Sequence, residues 1–138
     1  MAGTVVADTL QAASTSTLVL KNGVADTPPT IQDSAGTEIG TFCRAWVNFN
    51  GTGTVAIRGD FNVNTITDNG TGNYRVNLSN AMPDANYATA FGGKPASNVN
   101  AQFKTDYNQT NTTSQVYVVT WANGTFGDFS DVCVSIYR

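Results

Sequence analysis

The chain contains no histidine, and only two of its 138 residues are cysteines. Histidine is the commonest general base in enzymes, and zinc sites are built mainly from histidine and cysteine. Cys43 and Cys133 form no Cys-x-x-Cys pair. We therefore expect no metal, no cofactor and no catalytic residues, and predict that the protein is not an enzyme.

Charged side chains are also scarce, at 12% of the chain against an average of about 25%. The seven lysines and arginines are scattered between Lys21 and Arg138, and the absence of a basic patch argues against a nucleic-acid partner. No apolar run approaches the roughly 20 residues that span a bilayer, so membrane insertion is not expected. Residues 1–4 lack the charged and apolar regions of a signal peptide, and we expect folding in a cytosol.

Two interpretations of the cysteines stay open. Cys43 and Cys133 fall on the first and last predicted strands of the main domain, so a disulfide could join those strands. Two reduced, buried thiols are the alternative, which a reducing compartment favours.

The chain is instead rich in Thr, Asn, Ser and Gly. Threonine suits strands, whereas asparagine and glycine suit turns that need positive φ. From residue 42 onward, aromatic residues and turn signals alternate at the spacing of a β-sandwich or barrel. Strands are predicted at 43–49, 54–58, 61–67, 74–78, 87–91, 103–107, 114–121 and 131–137, a loop at 92–98, and turns at Asn50-Gly51 and Asn123-Gly124. The prediction is an all-β fold, an antiparallel, jelly-roll-like β-sandwich head over residues 41–138.

Residues 1–40 differ from the rest because they contain no aromatic side chain. A turn is predicted at Asp33–Gly36, and the best helix candidate is residues 7–13. Short strands joined by turns do not build a core alone, so we predict an extended N-terminal arm for trimerisation and particle attachment. A partly disordered arm is the alternative. The candidate attachment residues are Leu18, Val19, Leu20, Pro28 and Pro29.

A group of aromatic and polar residues in the C-terminal third suggests a sugar site. Aromatic faces stack on the apolar faces of sugar rings, while amides and carboxylates bind the hydroxyls. The alternative is that the aromatics belong to the core and the polar residues to turns. The candidate glycan- or receptor-binding residues are Tyr107, Asn108, Asn111, Trp121, Asn123, Phe126 and Asp128.

Two further motifs have ordinary alternatives. Asp128 and Asp131 lie close in sequence, and paired carboxylates cleave glycosides, although an aspartate in a turn usually caps its own backbone. Arg58-Gly59-Asp60 spells an integrin-binding tripeptide, but it lies at a predicted hairpin end and is interpreted as part of a turn.

The stretch from Cys43 to Arg58 resembles a segment that recurs in small tail-fibre and other virion proteins of marine and cyanobacterial tailed phages. The similarity continues through residues 61–63, 66–72 and 81–87, and upstream through Leu20–Gly23, Pro28-Pro29 and 33–40. It covers roughly residues 18 to 90. The resemblance implies a trimeric fibre or appendage with a β-rich tip and an N-terminal attachment arm, and it supplies no catalytic residues.

These observations predict a phage virion structural protein of the tail-fibre type, located in the tail or an appendage and assembled in the cytoplasm of the host bacterium. The arm would attach to the particle and the head would contact host-surface polysaccharide. The expected partners are two further copies of the chain and other tail, baseplate or capsid proteins. A capsid decoration or cement protein is the first alternative, and an enzyme that trims host polysaccharide is the second.

Overall fold

The computed structural model describes residues 9, 11, 19–21, 23, 28–104 and 108–138. Within these ranges the chain forms strands and no helix, which confirms the all-β prediction. The strands are β1 (Ile31–Gln32), β2 (Glu38–Gly40), β3 (Cys43–Asn50), β4 (Ala56–Phe61), β5 (Val63–Asp68), β6 (Asn73–Leu78), β7 (Ala88–Pro95), β8 (Ala101–Lys104), β9 (Gln115–Ala122), β10 (Thr125–Phe126) and β11 (Phe129–Tyr137).

The strands form two main antiparallel sheets and one small hairpin. The four-stranded sheet has the order β4-β3-β11-β7. In the five-stranded sheet, β9 pairs with β6 and β10 along one side and with β8 along the other, and β5 follows β6. Jelly-roll connectivity is not confirmed, because β3–β4, β5–β6 and β8–β9 each form a hairpin within one sheet.

The two main sheets share one apolar core. On β3, Ala45, Val47 and Phe49 are buried at every second position, and on β11 Val132, Val134 and Ile136 follow the same pattern. Period-two alternation places these side chains on the inner faces of the sheets. The core consists of Ala45, Val47, Phe49, Val63, Tyr74, Val76, Leu78, Met82, Val116, Val118, Phe129, Val132, Val134 and Ile136.

The two Asn-Gly turns fold differently. Asn123-Gly124 forms the predicted two-residue turn between β9 and β10, with φ of 54° and 86°, the type I′ geometry that suits a hairpin. Asn50-Gly51 opens a longer connection, because Gly51 donates its N–H to Phe129 O instead of closing a tight turn. The predicted loop at 92–98 is wrong in its first half, since β7 continues to Pro95 by pairing with β11.

The N-terminal region is described only in part. The turn predicted at 33–36 is confirmed, because it joins β1 to β2, with Asp33 Oδ1 accepting the N–H groups of Ala35 and Thr37 at 2.9 Å each. Leu18 and most of the helix candidate at 7–13 lie outside the described residues. The division of the chain into an arm at 1–40 and a head at 41–138 stays a prediction.

Cys43 and Cys133 are both free thiols. The register of β3 against β11 pairs Cys133 with Asn48, whereas Cys43 pairs with Tyr137. The cysteines are therefore separated by five residues along β3, about 16 Å at roughly 3.3 Å per residue. A disulfide needs Cα atoms within about 7 Å, so this register excludes an internal bridge.

Candidate functional site

The hairpin β9–β10 presents two aromatic rings side by side. Trp121 and Phe126 are cross-strand neighbours whose ring centroids lie 5.0 Å apart at 34°. Trp121 is half-buried, while Phe126 is 41% exposed. The tight turn at Asn123-Gly124 fixes this pairing, because a two-residue connection sets the register of the hairpin.

A cation lies against this aromatic pair. Lys104, at the end of β8, places its Nζ 4.0 Å from the Trp121 ring centroid. Gln102 is the direct neighbour of Trp121 on β8. The three strands thus bring together two aromatic rings, an ammonium group and an amide, which are the groups that a hydroxylated ligand contacts.

The predicted asparagines have separate positions around this pair. Asn123 lies in the turn beside the rings and accepts the Asn100 N–H on its Oδ1 at 3.1 Å. Asn111 is half-buried and accepts the Tyr117 N–H at 3.0 Å, so it anchors the loop to β9. Asn108 is exposed, and Tyr107 lies outside the described residues.

Asp128 is engaged by its own chain. Its Oδ1 accepts the Gly72 N–H at 2.7 Å and lies 2.8 Å from the Tyr74 hydroxyl. Burial raises the pKa of Tyr74, and the hydrogen bond to Asp128 raises it further. The carboxylate therefore links the connection between β10 and β11 to Gly72 and Tyr74, at the start of β6.

Asp131 has other partners. Its Oδ1 accepts Asn48 Nδ2 at 2.7 Å and Arg58 Nη1 at 3.3 Å on the four-stranded sheet. The sulfur of Cys133 lies 3.2 Å from the same Asn48 amide, and burial raises the pKa of this thiol. Asp128 and Asp131 thus bind different groups and do not face one another as a carboxylate pair.

An apolar groove that was not predicted from the sequence lies beside the start of β3. Its volume is about 610 Å³, and Pro28, one of the predicted attachment residues, lines it. Phe61, which is 54% exposed, pairs with the exposed Trp46 next to it. The groove is lined by Pro28, Phe42, Cys43, Arg44, Phe61, Asn62, Ser79 and Asn80. The sequence offered one clue to this groove. Trp46 lies on the opposite face of its strand from Ala45 and Val47, so its large ring points away from the core.

A smaller polar cavity of about 250 Å³ lies on the outer face of the five-stranded sheet. Its central cation, Arg75, pairs with Tyr117 on β9 and with Thr67 on β5. The cavity is lined by Asn69, Asn73, Arg75, Gln109 and Tyr117. Arg75 lies between the buried Tyr74 and Val76 on β6 and therefore points away from the core. The sequence did not indicate that loop residue Gln109 would lie beside it.

In the described ranges, no three His, Cys, Asp or Glu side chains come together as a metal-binding group. The described residues also include no helix of the length and apolarity that a bilayer requires. No family model, curated protein or solved structure matches the chain. The resemblance to phage virion proteins thus stays a prediction.

Proposed function

We propose that the chain is a phage virion structural protein of the tail-fibre type, whose β head binds host-surface glycan without cleaving it. The observation that carries the glycan-binding role is the pair of the half-buried Trp121 and the exposed Phe126, with Lys104 and Gln102 beside it. The virion role is supported by the resemblance over roughly residues 18–90. The proposed location is a tail or appendage of the particle.

The aromatic pair leaves an open ring surface on which a sugar ring can stack. Phe126 leaves 41% of its surface open although Trp121 packs against it. An exposed ring held in one orientation loses little entropy when a sugar stacks on it. Each site would bind modestly, and several copies acting together would raise the overall affinity.

The test is binding of the full-length protein to an array of bacterial capsular polysaccharides and lipopolysaccharide O-chains. Phe126→Ala should weaken binding to the recognised glycan about fivefold, because the loss of apolar contact costs about 1 kcal/mol. Phe61→Ala is the matched control, since it removes an exposed ring from the opposite sheet. Equal weakening by both variants, or binding to no glycan on the array, would contradict the proposal.

We further propose that three copies associate through the N-terminal arm. The arm exposes apolar side chains, with Val19 and Leu20 at 62% and 59% and Ile39 at 65%. Exposed apolar groups of this kind are typical of protein contacts. Sedimentation equilibrium should give a trimer for the full chain, and the double variant Leu20→Asp/Ile39→Asp should dissociate it. A wild-type monomer at all concentrations would exclude trimerisation by the chain alone.

A capsid decoration protein is the second candidate, and the apolar groove favours it. A groove lined by Phe42, Phe61 and Pro28 suits the surface of a neighbouring capsid subunit. In this case purified protein should bind empty phage heads and raise their heat resistance. Immunogold labelling of the tail instead of the head would exclude this role. Release of reducing sugar from a bound polysaccharide would support the enzyme alternative.

A further inference from the structure

We propose that the cavity around Arg75 binds the carboxylate of a uronic acid unit, so that the recognised glycan is an acidic polysaccharide. This proposal rests on the glycan-binding function above, but it concerns a different site. The cavity lies on the same outer face as Trp121 and Phe126 and shares none of their residues. Its volume of about 250 Å³ suits one small polar group or sugar ring.

The state of the Arg75 side chain points to a ligand. Its Nε is buried and has no hydrogen-bond partner among the described residues. A buried polar group without a partner loses its hydration and gains nothing in return, at a cost that native proteins rarely leave unexplained. An anion seated in the cavity would accept this N–H once the side chains that cover the Nε move aside, and it would then remove the cost.

The chemistry of the lining fits a carboxylated sugar. The guanidinium presents a planar set of donors that matches both oxygens of a carboxylate. Asn69 and Gln109 carry amides that can exchange hydrogen bonds with hydroxyls. Tyr117 supplies an aromatic ring directly across from Arg75. A bare inorganic anion would use the guanidinium but would not need the amides or the ring.

The charge of this face differs from that of the whole protein. The chain has a net charge of −3. Among the described residues on the outer face of the five-stranded sheet, the charged ones are Arg75 and Lys104, and none is acidic. The two cations that the described residues place on this face of an acidic chain favour an anionic ligand there.

The positions of the two sites allow a single oligosaccharide to contact both. Tyr117 and Trp121 are four residues apart on β9 with their side chains on the same face, about 13 Å at roughly 3.3 Å per residue. An oligosaccharide spans this distance, whereas a single sugar does not. Lys104 pairs with Val119, midway between the two aromatic residues. One acidic glycan would thus contact the ring pair at one end and Arg75 at the other.

The test compares trigalacturonate with its methyl ester, which keeps the sugar rings and removes the charge, on the full-length protein. Isothermal titration should show at least about tenfold tighter binding of the free acid. Arg75→Gln should remove this difference, while Arg58→Gln, which deletes the same charge from the opposite sheet, should preserve it. Gln109→Ala, a loop variant outside the sheet, should weaken binding of both ligands without unfolding the protein.

A direct measurement complements the variants. The Arg75 Nε–H resonance, assigned with Arg75→Gln, should shift on addition of trigalacturonate and stay in place with the ester. Equal binding of acid and ester, or sodium sulfate binding as tightly as trigalacturonate, would overturn the proposal. If Phe126→Ala has no effect but Arg75→Gln abolishes acid binding, the ring-pair site fails and this inference stands. The reverse result overturns this inference and leaves the proposed glycan binding intact.

Discussion

The Tyr74 hydroxyl lies 2.8 Å from Asp128 Oδ1 and 2.9 Å from the Gly51 carbonyl oxygen. The first contact reaches the crossing from β10 to β11, and the second reaches the turn after β3. Gly72, which opens β6, donates its N–H to the same Asp128 oxygen at 2.7 Å. Three connections of the head therefore meet at one buried phenol.

This arrangement predicts that Asp128→Ala destabilises the protein by about 1–3 kcal/mol, because it leaves the Gly72 N–H without its acceptor and removes one of the two hydrogen-bond partners of the Tyr74 hydroxyl. Urea denaturation followed by tryptophan fluorescence measures the change. Asp131→Ala is the control, since its ion pair with Arg58 lies at the surface, with 48% of the Arg58 and 39% of the Asp131 side chain exposed, and such pairs contribute about 1 kcal/mol or less. An equal loss for the two variants would refute a special structural role for Asp128.

Gly72 provides a second stability test. Its φ is +64°, and a Cβ there would lie 2.5 Å from Thr120 O and 2.7 Å from Gly127 N. Gly72→Ala should therefore cost more than the roughly 1–3 kcal/mol of backbone strain alone. Gly53→Ala is a matched control, with a φ of +63° and nothing within 4 Å of the added Cβ. Thermal denaturation of both should show a much larger fall in Tm for Gly72→Ala; similar falls would mean that the close contacts relax.

Much of this fold was predictable because the head obeys local rules. Most strands were located correctly, and Asn123-Gly124 identified a hairpin. In β9, alternation did not separate an inner from an outer face, because Tyr117 and Val119 are buried as well as Val116 and Val118. The extent of β7 was not predictable, because Gly92 and Gly93 are residues typical of loops. In the structure they belong to β7, because they pair with β11. Pairing between distant strands overrides the local preference of glycine for turns.

The candidate site was predictable only in part. The aromatic and turn signals located Trp121, Phe126 and Asn123, which the structure brings together. Asp128 was predicted either to bind glycan or to cap its own turn, but its partners Tyr74 and Gly72 come from a distant hairpin. The cavity at Arg75 was missed for the same reason, since its lining combines a strand, a turn and a loop that only the tertiary fold assembles.

The register of β3 and β11 predicts the state of the cysteines. Protein purified in air without reductant should retain two thiols per chain when titrated under denaturing conditions, because Cys43 and Cys133 lie too far apart to bridge. Cys133 should react slowly with alkylating agents in the native state, since burial raises the pKa of its thiol. The variant Cys43→Ser is the control, because it should retain one thiol per chain. A lower thiol count would reveal a disulfide between the Cys133 residues of two chains. A mass consistent with an internal disulfide would contradict the observed register.

Tyr87 predicts a loss of stability at alkaline pH. Its hydroxyl lies 2.8 Å from Thr112 O and 3.0 Å from Gln115 O, and burial raises its pKa from the ordinary value of 10.0 to about 12. A pKa raised by folding contributes stability that is complete below pH 10 and is lost as the pH rises towards 12. The loss should approach about 1.4 kcal/mol per pH unit for this group, with Tyr74 adding a contribution of the same sign.

This slope is measured by urea denaturation between pH 8 and 12, which covers about two pH units on either side of the ordinary tyrosine pKa of about 10. Tyr87→Phe should be less stable than wild type at pH 8 by about 1 kcal/mol, because it lacks the hydroxyl hydrogen bond. Its stability should then fall less steeply above pH 10, because the titrating group is gone. Phe61→Ala leaves the Tyr87 hydroxyl in place and should keep the wild-type slope. Parallel curves for wild type and Tyr87→Phe would show that this phenol ionises as readily in the folded chain as in the unfolded one.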